Sequence, residues 1–164
     1  MKESLKRNKT LSSDEKLLKW GHGEWVEELD YKQWQYKGIE CEIFRNKMGS
    51  LCGYIHVPKG HPWHGKDYDD IETDVHGGLT YAYELKDGEF IIGFDCSHLD
   101  DFTPSLEGRR ALETLNNSYA QLEEEFGDTD SMIKAYGRQT YKNISFVKAE
   151  CESLVDQMLQ EKSI

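Results

Sequence analysis

The sequence predicts an α+β fold: an antiparallel sheet of about five strands with helices packed on one face. Three observations carry this. Apolar and polar residues alternate at period two in Ile39-Glu40-Cys41-Glu42-Ile43-Phe44, an Asp87-Gly88 pair separates two apolar runs, and apolar residues recur at helical spacing in the last third of the chain. At 164 residues the chain is long enough to bury a core without staples, so one domain is expected over 12–164, behind a flexible polar tail over 1–11.

The elements follow in order. Ser12, with Glu15 three residues on, has the form of a capping box, and Leu17, Leu18 and Trp20 give a short helix its apolar stripe. Gly21-His22-Gly23 stops that helix. Tyr31, Trp34 and Tyr36 lead to a Lys37-Gly38 turn and then to the alternating strand Ile39–Phe44. A second strand, Leu51–Val57, ends at Pro58, which has no N–H to give a ladder. From Pro58 to Gly78 no period is visible; a loop of that length in a compact domain is usually functional or disordered, and Trp63, Tyr68 and the flanking strands favour an ordered one. Leu79–Leu85 and Phe90–Phe94 form a hairpin about Asp87-Gly88, read as a two-residue type I′ turn. Apolar faces at Ala111, Leu112, Leu115, Tyr119, Leu122 and Phe126, and at Ile144, Val147, Cys151, Leu154, Val155 and Met158, predict two helices covering the sheet.

Charge and composition exclude several classes. A net charge of -11 opposes nucleic acid, whose phosphates need a basic face. The cluster Lys2, Lys6, Arg7 and Lys9 lies in the tail. Four cysteines without a CxxC pair read as reduced thiols, and no apolar run approaches ~18 residues. No signal sequence is recognisable. A cytoplasmic protein without a membrane partner is expected.

Functional residues concentrate between Gly53 and Asp101, which holds five of the six histidines and five acids between Asp67 and Asp74. The hairpin is expected to bring Asp74-Val75-His76-Gly77-Gly78 beside Asp95-Cys96-Ser97-His98. Imidazole, carboxylate and thiolate ligate zinc and similar metals, so His76, Asp95, Cys96 and His98 are candidate ligands of a divalent transition metal, zinc foremost. His76, Asp95 and His98 are the candidate catalytic residues, with Asp74 or Asp100 as a further base for metal-assisted hydrolysis. A bland account stands beside this: Cys96 as a core thiol, Asp95 as a turn former and His98 as a surface residue. A Cys96 nucleophile is a third option. His61, Trp63, Asp74 and the Gly77-Gly78 pair are candidate binders of a small polar ligand, the glycines through backbone N–H groups. The Asp67–Asp74 acids lack the EF-hand spacing and read as a solvated loop.

Gly53-Tyr54, Val57-Pro58, Gly60-His61-Pro62, Asp74-Val75-His76-Gly77-Gly78-Leu79-Thr80 and Gly93-Phe94-Asp95-Cys96-Ser97-His98 resemble a family of small bacteriophage and prophage proteins. The resemblance extends to Val147-Lys148-Ala149-Glu150-Cys151 and spans about 38–101 and 140–158. It implies a context, a phage-type accessory protein in a bacterial cytoplasm, and carries no activity with it. Three functions follow as expectations. One is a His/Asp/Cys pocket for a metal or small polar ligand. Another is a non-catalytic acidic protein that binds and inhibits a host defence protein, and the third is a sponge for a nucleotide signal.

Overall fold

The computed structural model describes residues 10–105 and 139–161. The tail and the helix expected from Ala111 to Phe126 lie outside the described residues. The described elements are α1 (Ser13–Trp20), β1 (Tyr31–Tyr36), β2 (Ile39–Arg45), β3 (Leu51–Val57), β4 (Tyr81–Glu84), β5 (Phe90–Asp95) and α2 (Ile144–Gln160). The five strands form one sheet in the order β1-β2-β3-β5-β4, with every neighbouring pair antiparallel. The expected α+β class is what forms, and α2 is the helix that packs on the sheet, across β2 and β3.

Strand alternation divides the sheet into two chemically different faces. Ile39, Cys41 and Ile43, then Leu51, Ile55 and Val57, then Phe90, Ile92 and Phe94 join one buried core with Val147, Cys151, Leu154, Val155 and Met158 of α2. Burial of each larger apolar side chain here is worth about 1.5–3 kcal/mol. Close approach of α2 needs Gly53, where a Cβ would stand 2.7 Å from Cys151 Sγ and 2.6 Å from Phe94. The opposite face carries Tyr31, Glu40, Glu42, Tyr54, His56 and Ile91.

The two-residue primed turn expected at Asp87-Gly88 forms instead at Lys37-Gly38. Lys37 and Gly38 both have positive φ, and Tyr36 pairs directly with Ile39, so the two-residue primed turn is there. At the other hairpin only Gly88 has positive φ. The Gly88 N–H bonds Leu85 O at 2.9 Å and the Leu85 N–H bonds Glu89 O at 2.7 Å. That is a three-residue loop, a type I turn closed by a glycine bulge, and Asp87 serves it by accepting the Glu89 N–H.

Ser12 caps α1 through the Glu15 N–H as expected, and Trp20 is buried, but Leu18 is 91% exposed. The other buried group of α1 is Lys16, whose ammonium bonds Glu28 O and Asp30 Oδ1. Asp30 and Glu28 in turn hold the buried guanidinium of Arg45, which also bonds Gly49 O, Leu29 O and the Tyr141 hydroxyl. This network, neutral in formal charge, ties α1, the end of β2 and the approach to α2 together.

Candidate functional site

The hairpin places its two flanking segments together at the end of the sheet opposite the turn. The Thr80 N–H bonds Gly93 O, and the Thr80 hydroxyl donates to Asp95 Oδ2 at 3.0 Å. The other oxygen of Asp95 accepts the Ser97 N–H, which fixes the turn into His98. The His76 and His98 rings meet edge to face with centroids 5.7 Å apart.

Gly77 makes that meeting possible. Its φ is +68°, and a Cβ there would lie 2.0 Å from His98 Nε2. The His98 ring therefore rests on bare backbone. Its Nε2 is buried and 3.3 Å from Asp95 Oδ1, without the alignment of a hydrogen bond. Gly78, also at positive φ, spends its N–H on Val75 O.

The strongest polar contact is one that sequence reasoning left out. Asp101 is fully buried, and both its oxygens lie 2.9 Å from His76 Nε2. It also accepts the His98 N–H at 3.0 Å and stands 3.0 Å from Lys142 Nζ. Burial raises the cost of the Asp101 charge, but the bonds from His76, the His98 N–H and Lys142 outweigh it and hold the carboxyl below its ordinary range. The Asp101 bond raises the His76 pKa, against the opposing effect of burial. Lys142 reaches Asp101 from a short bridge in which Thr140 pairs with Asp101, and its ammonium also bonds Thr140 Oγ1, Thr140 O and Asp100 O. The only local sign of Asp101 is its position three residues after His98. Nothing in sequence marks Lys142, which lies forty-one positions further on, past the segment outside the described residues.

The quartet His76, Asp95, Cys96 and His98 does not gather around one point. Cys96 is 2% exposed within the core, and burial pushes its thiol far up, which suits neither a nucleophile nor a ready ligand. Among the described residues, two sets of three bring one ligand atom each within 4.8 Å: His76 with Asp100 and Asp101, and Glu40 with His56 and Glu89.

His61, Trp63 and Asp74 lie elsewhere. His61 Nε2 donates to Met158 O at 2.7 Å while its Nδ1 accepts the Trp63 N–H, and Trp63 is 2% exposed. Gln157 bonds the Asp74 backbone in both directions. These contacts bolt the long loop to the last turns of α2, whereas His76 packs on Phe146 in its first turn. Phe146 and Met158, twelve positions apart, are separated by about 18 Å of helix, too far for His61 and His76 to line one pocket.

What the sheet end offers is a shallow depression of ≈ 510 Å³ on the face opposite α2, with the polar groups of Asn46, Tyr54, Thr80, Tyr81, Asp95, Ser97 and His98 set among the apolar side chains of Met48, Cys52 and Phe94. Of these, His98 touches the His76–Asp101 pair, through its ring and its N–H. No helix among the described residues is long and apolar enough to cross a membrane. Comparison with protein-family models, curated proteins and solved structures finds no match for the chain.

Proposed function

We propose that the chain binds a small polar ligand in this depression, with His76 as the acid–base group beside it. One observation carries the reading: groups from both sides of the hairpin, Thr80 and Tyr81 with Asp95, Ser97 and His98, line one cavity, and the His98 ring in turn meets the ring of His76. Asp101 takes the Nε2 proton, so the free ring nitrogen of His76 is Nδ1, the atom that would accept a proton from a bound water. If the ligand is processed, base-assisted hydrolysis is the class of reaction this supports. A metal at His76, Asp100 and Asp101 would compete with the Lys142 ammonium already on Asp101. The resemblance to phage proteins supports a setting in a bacterial cytoplasm.

The test is a thermal-shift screen of the full chain against nucleotides, sugars, amino acids and small carboxylates, repeated on His98→Ala and Asp95→Asn. A compound that raises the Tm of the parent and of neither variant supports the site. A hit whose shift survives in both variants refutes it.

The second reading, an acidic protein that docks on a basic host factor, is favoured by the exposed strip Asp67, Asp69, Asp70, Glu72 and Asp74 in a chain of net charge -11. Such a complex weakens steeply with ionic strength, whereas ligand binding in the depression is expected to change little.

A further inference from the structure

The sheet face opposite α2 carries a second constellation, separate from His76 and assembled by strand order and alternation. Glu40 and Glu42 lie on β2, His56 on β3, and Glu89 immediately before β5. His56 Nε2 stands 3.0 Å from Oε2 of Glu42, and the other oxygen of Glu42 accepts the Tyr31 hydroxyl at 2.5 Å. Glu42 is fully buried, so this carboxylate is fixed, and it fixes the imidazole in turn. With Glu42 at Nε2, Nδ1 is the ring nitrogen that faces two further carboxylates, and it is the nitrogen a metal ion between them would take. This is the outer-shell device by which proteins orient a metal-binding histidine: carboxylate, then imidazole, then metal.

The spacing agrees. Nδ1 is 3.5 Å from Glu40 Oε2 and 3.6 Å from Glu89 Oε2, longer than a good hydrogen bond. Two ligands held about 2.0–2.2 Å from a tetrahedral zinc stand roughly 3.4 Å apart, so both separations match an edge of that polyhedron. Exposure grades the set. His56 and Glu40 are each 12% exposed at the side chain and Glu89 is 42% exposed, so Glu89 forms the open wall of a depression of ≈ 300 Å³ that Gln35 and Lys59 also line. One nitrogen and two carboxylates suit a divalent transition metal. The nitrogen argues against calcium, and the absence of thiolate from the set argues against a closed structural zinc centre.

We propose that Glu40, His56 and Glu89 are the ligands of a divalent transition metal of the zinc type, oriented by Glu42 and open to solvent at a fourth position. The site stands whether or not the depression at His98 binds a ligand.

Isothermal titration of chelator-stripped full chain with zinc chloride near neutral pH tests it. One equivalent is expected to bind. Loss of outer-shell partners costs about 10–100-fold in affinity elsewhere, so Glu89→Gln, which removes a ligand on an exposed turn, is expected to weaken binding by more than about tenfold. His56→Ala should abolish it, and His76→Ala should leave it unchanged. Zinc should also shift the His56 ring resonances ahead of those of the other histidines. A parent that takes up no zinc overturns the proposal. So does binding that survives unchanged in both Glu89→Gln and His56→Ala, or that moves His76 in place of His56.

Discussion

Replacing Asp101 by Asn removes one negative charge and keeps the side-chain shape. In the parent that charge meets His76 Nε2, the His98 N–H and Lys142 Nζ, all within 3.0 Å, at a carboxylate with no exposure. Removing one partner of a buried ion pair costs about 3–5 kcal/mol. Lys142 and His76 are each 11% exposed at the side chain and regain some water, which places the loss near the lower end, about 3 kcal/mol. For a chain of this size that is a fall of about 6–12 °C in Tm. The pH dependence follows from the two shifts. His76 is raised, so its share is complete below its unfolded pKa of about 6.5 and is lost as pH climbs through the folded value. Asp101 is lowered, so its share is complete above about 3.9 and is lost as acid protonates the folded carboxyl. The stability gap between parent and Asp101→Asn, measured by urea unfolding, should therefore be widest from about pH 4 to 6.5 and narrower in mild alkali, where the contributions of Lys142 and the His98 N–H persist. A gap below about 1 kcal/mol, or one that does not narrow between about pH 6.5 and mild alkali, would contradict this assignment.

Two further outcomes are expected. Gly77→Ala puts a Cβ onto the His98 ring at a positive-φ position, so His98 must leave its place; the backbone conflict alone costs about 1–2 kcal/mol, and any ligand found for the depression should lose affinity. Urea unfolding and a binding isotherm on that variant check both effects. All four cysteines are buried and their thiols are raised by burial, Cys41 and Cys52 to about 12, so a thiol reagent should label the native chain only as fast as it opens. Rapid labelling of Cys96 in native buffer would contradict its place in the core.

Much of the scaffold is legible in the sequence because its signals are local. Alternation marks β2, Pro58 ends β3 where it should, and the Val147, Cys151, Leu154, Val155 and Met158 spacing finds the face of α2 that the core covers. Alternation also tells which residues share a face, but not what stands across from them. His56 was visible only as a strand residue, and its approach to Glu42, Glu40 and Glu89 depends on strand order. Local patterns mislead where tertiary packing decides. Leu18 follows the helical stripe and is left in solvent because Lys16 turns inward to Asp30 instead. The hairpin brings together the two clusters it was expected to join, yet the group that organises them, Asp101, lies beyond both. The histidines of the long loop look like site residues by composition. His61 proves to be a bolt on Met158 O, and His64 packs on Phe90 beside the turn and bonds Gly88 O.

Titration of the six imidazoles by nitrogen-detected NMR, in the parent and in Asp101→Asn, tests the central claim that Asp101 holds His76 as the acid–base group of the sheet end. The account predicts a His76 ring protonated at Nε2, with a midpoint above about 6.5 that falls when Asp101 is neutralised. A His76 that titrates at its ordinary value with mixed tautomers, unchanged in Asp101→Asn, would contradict it.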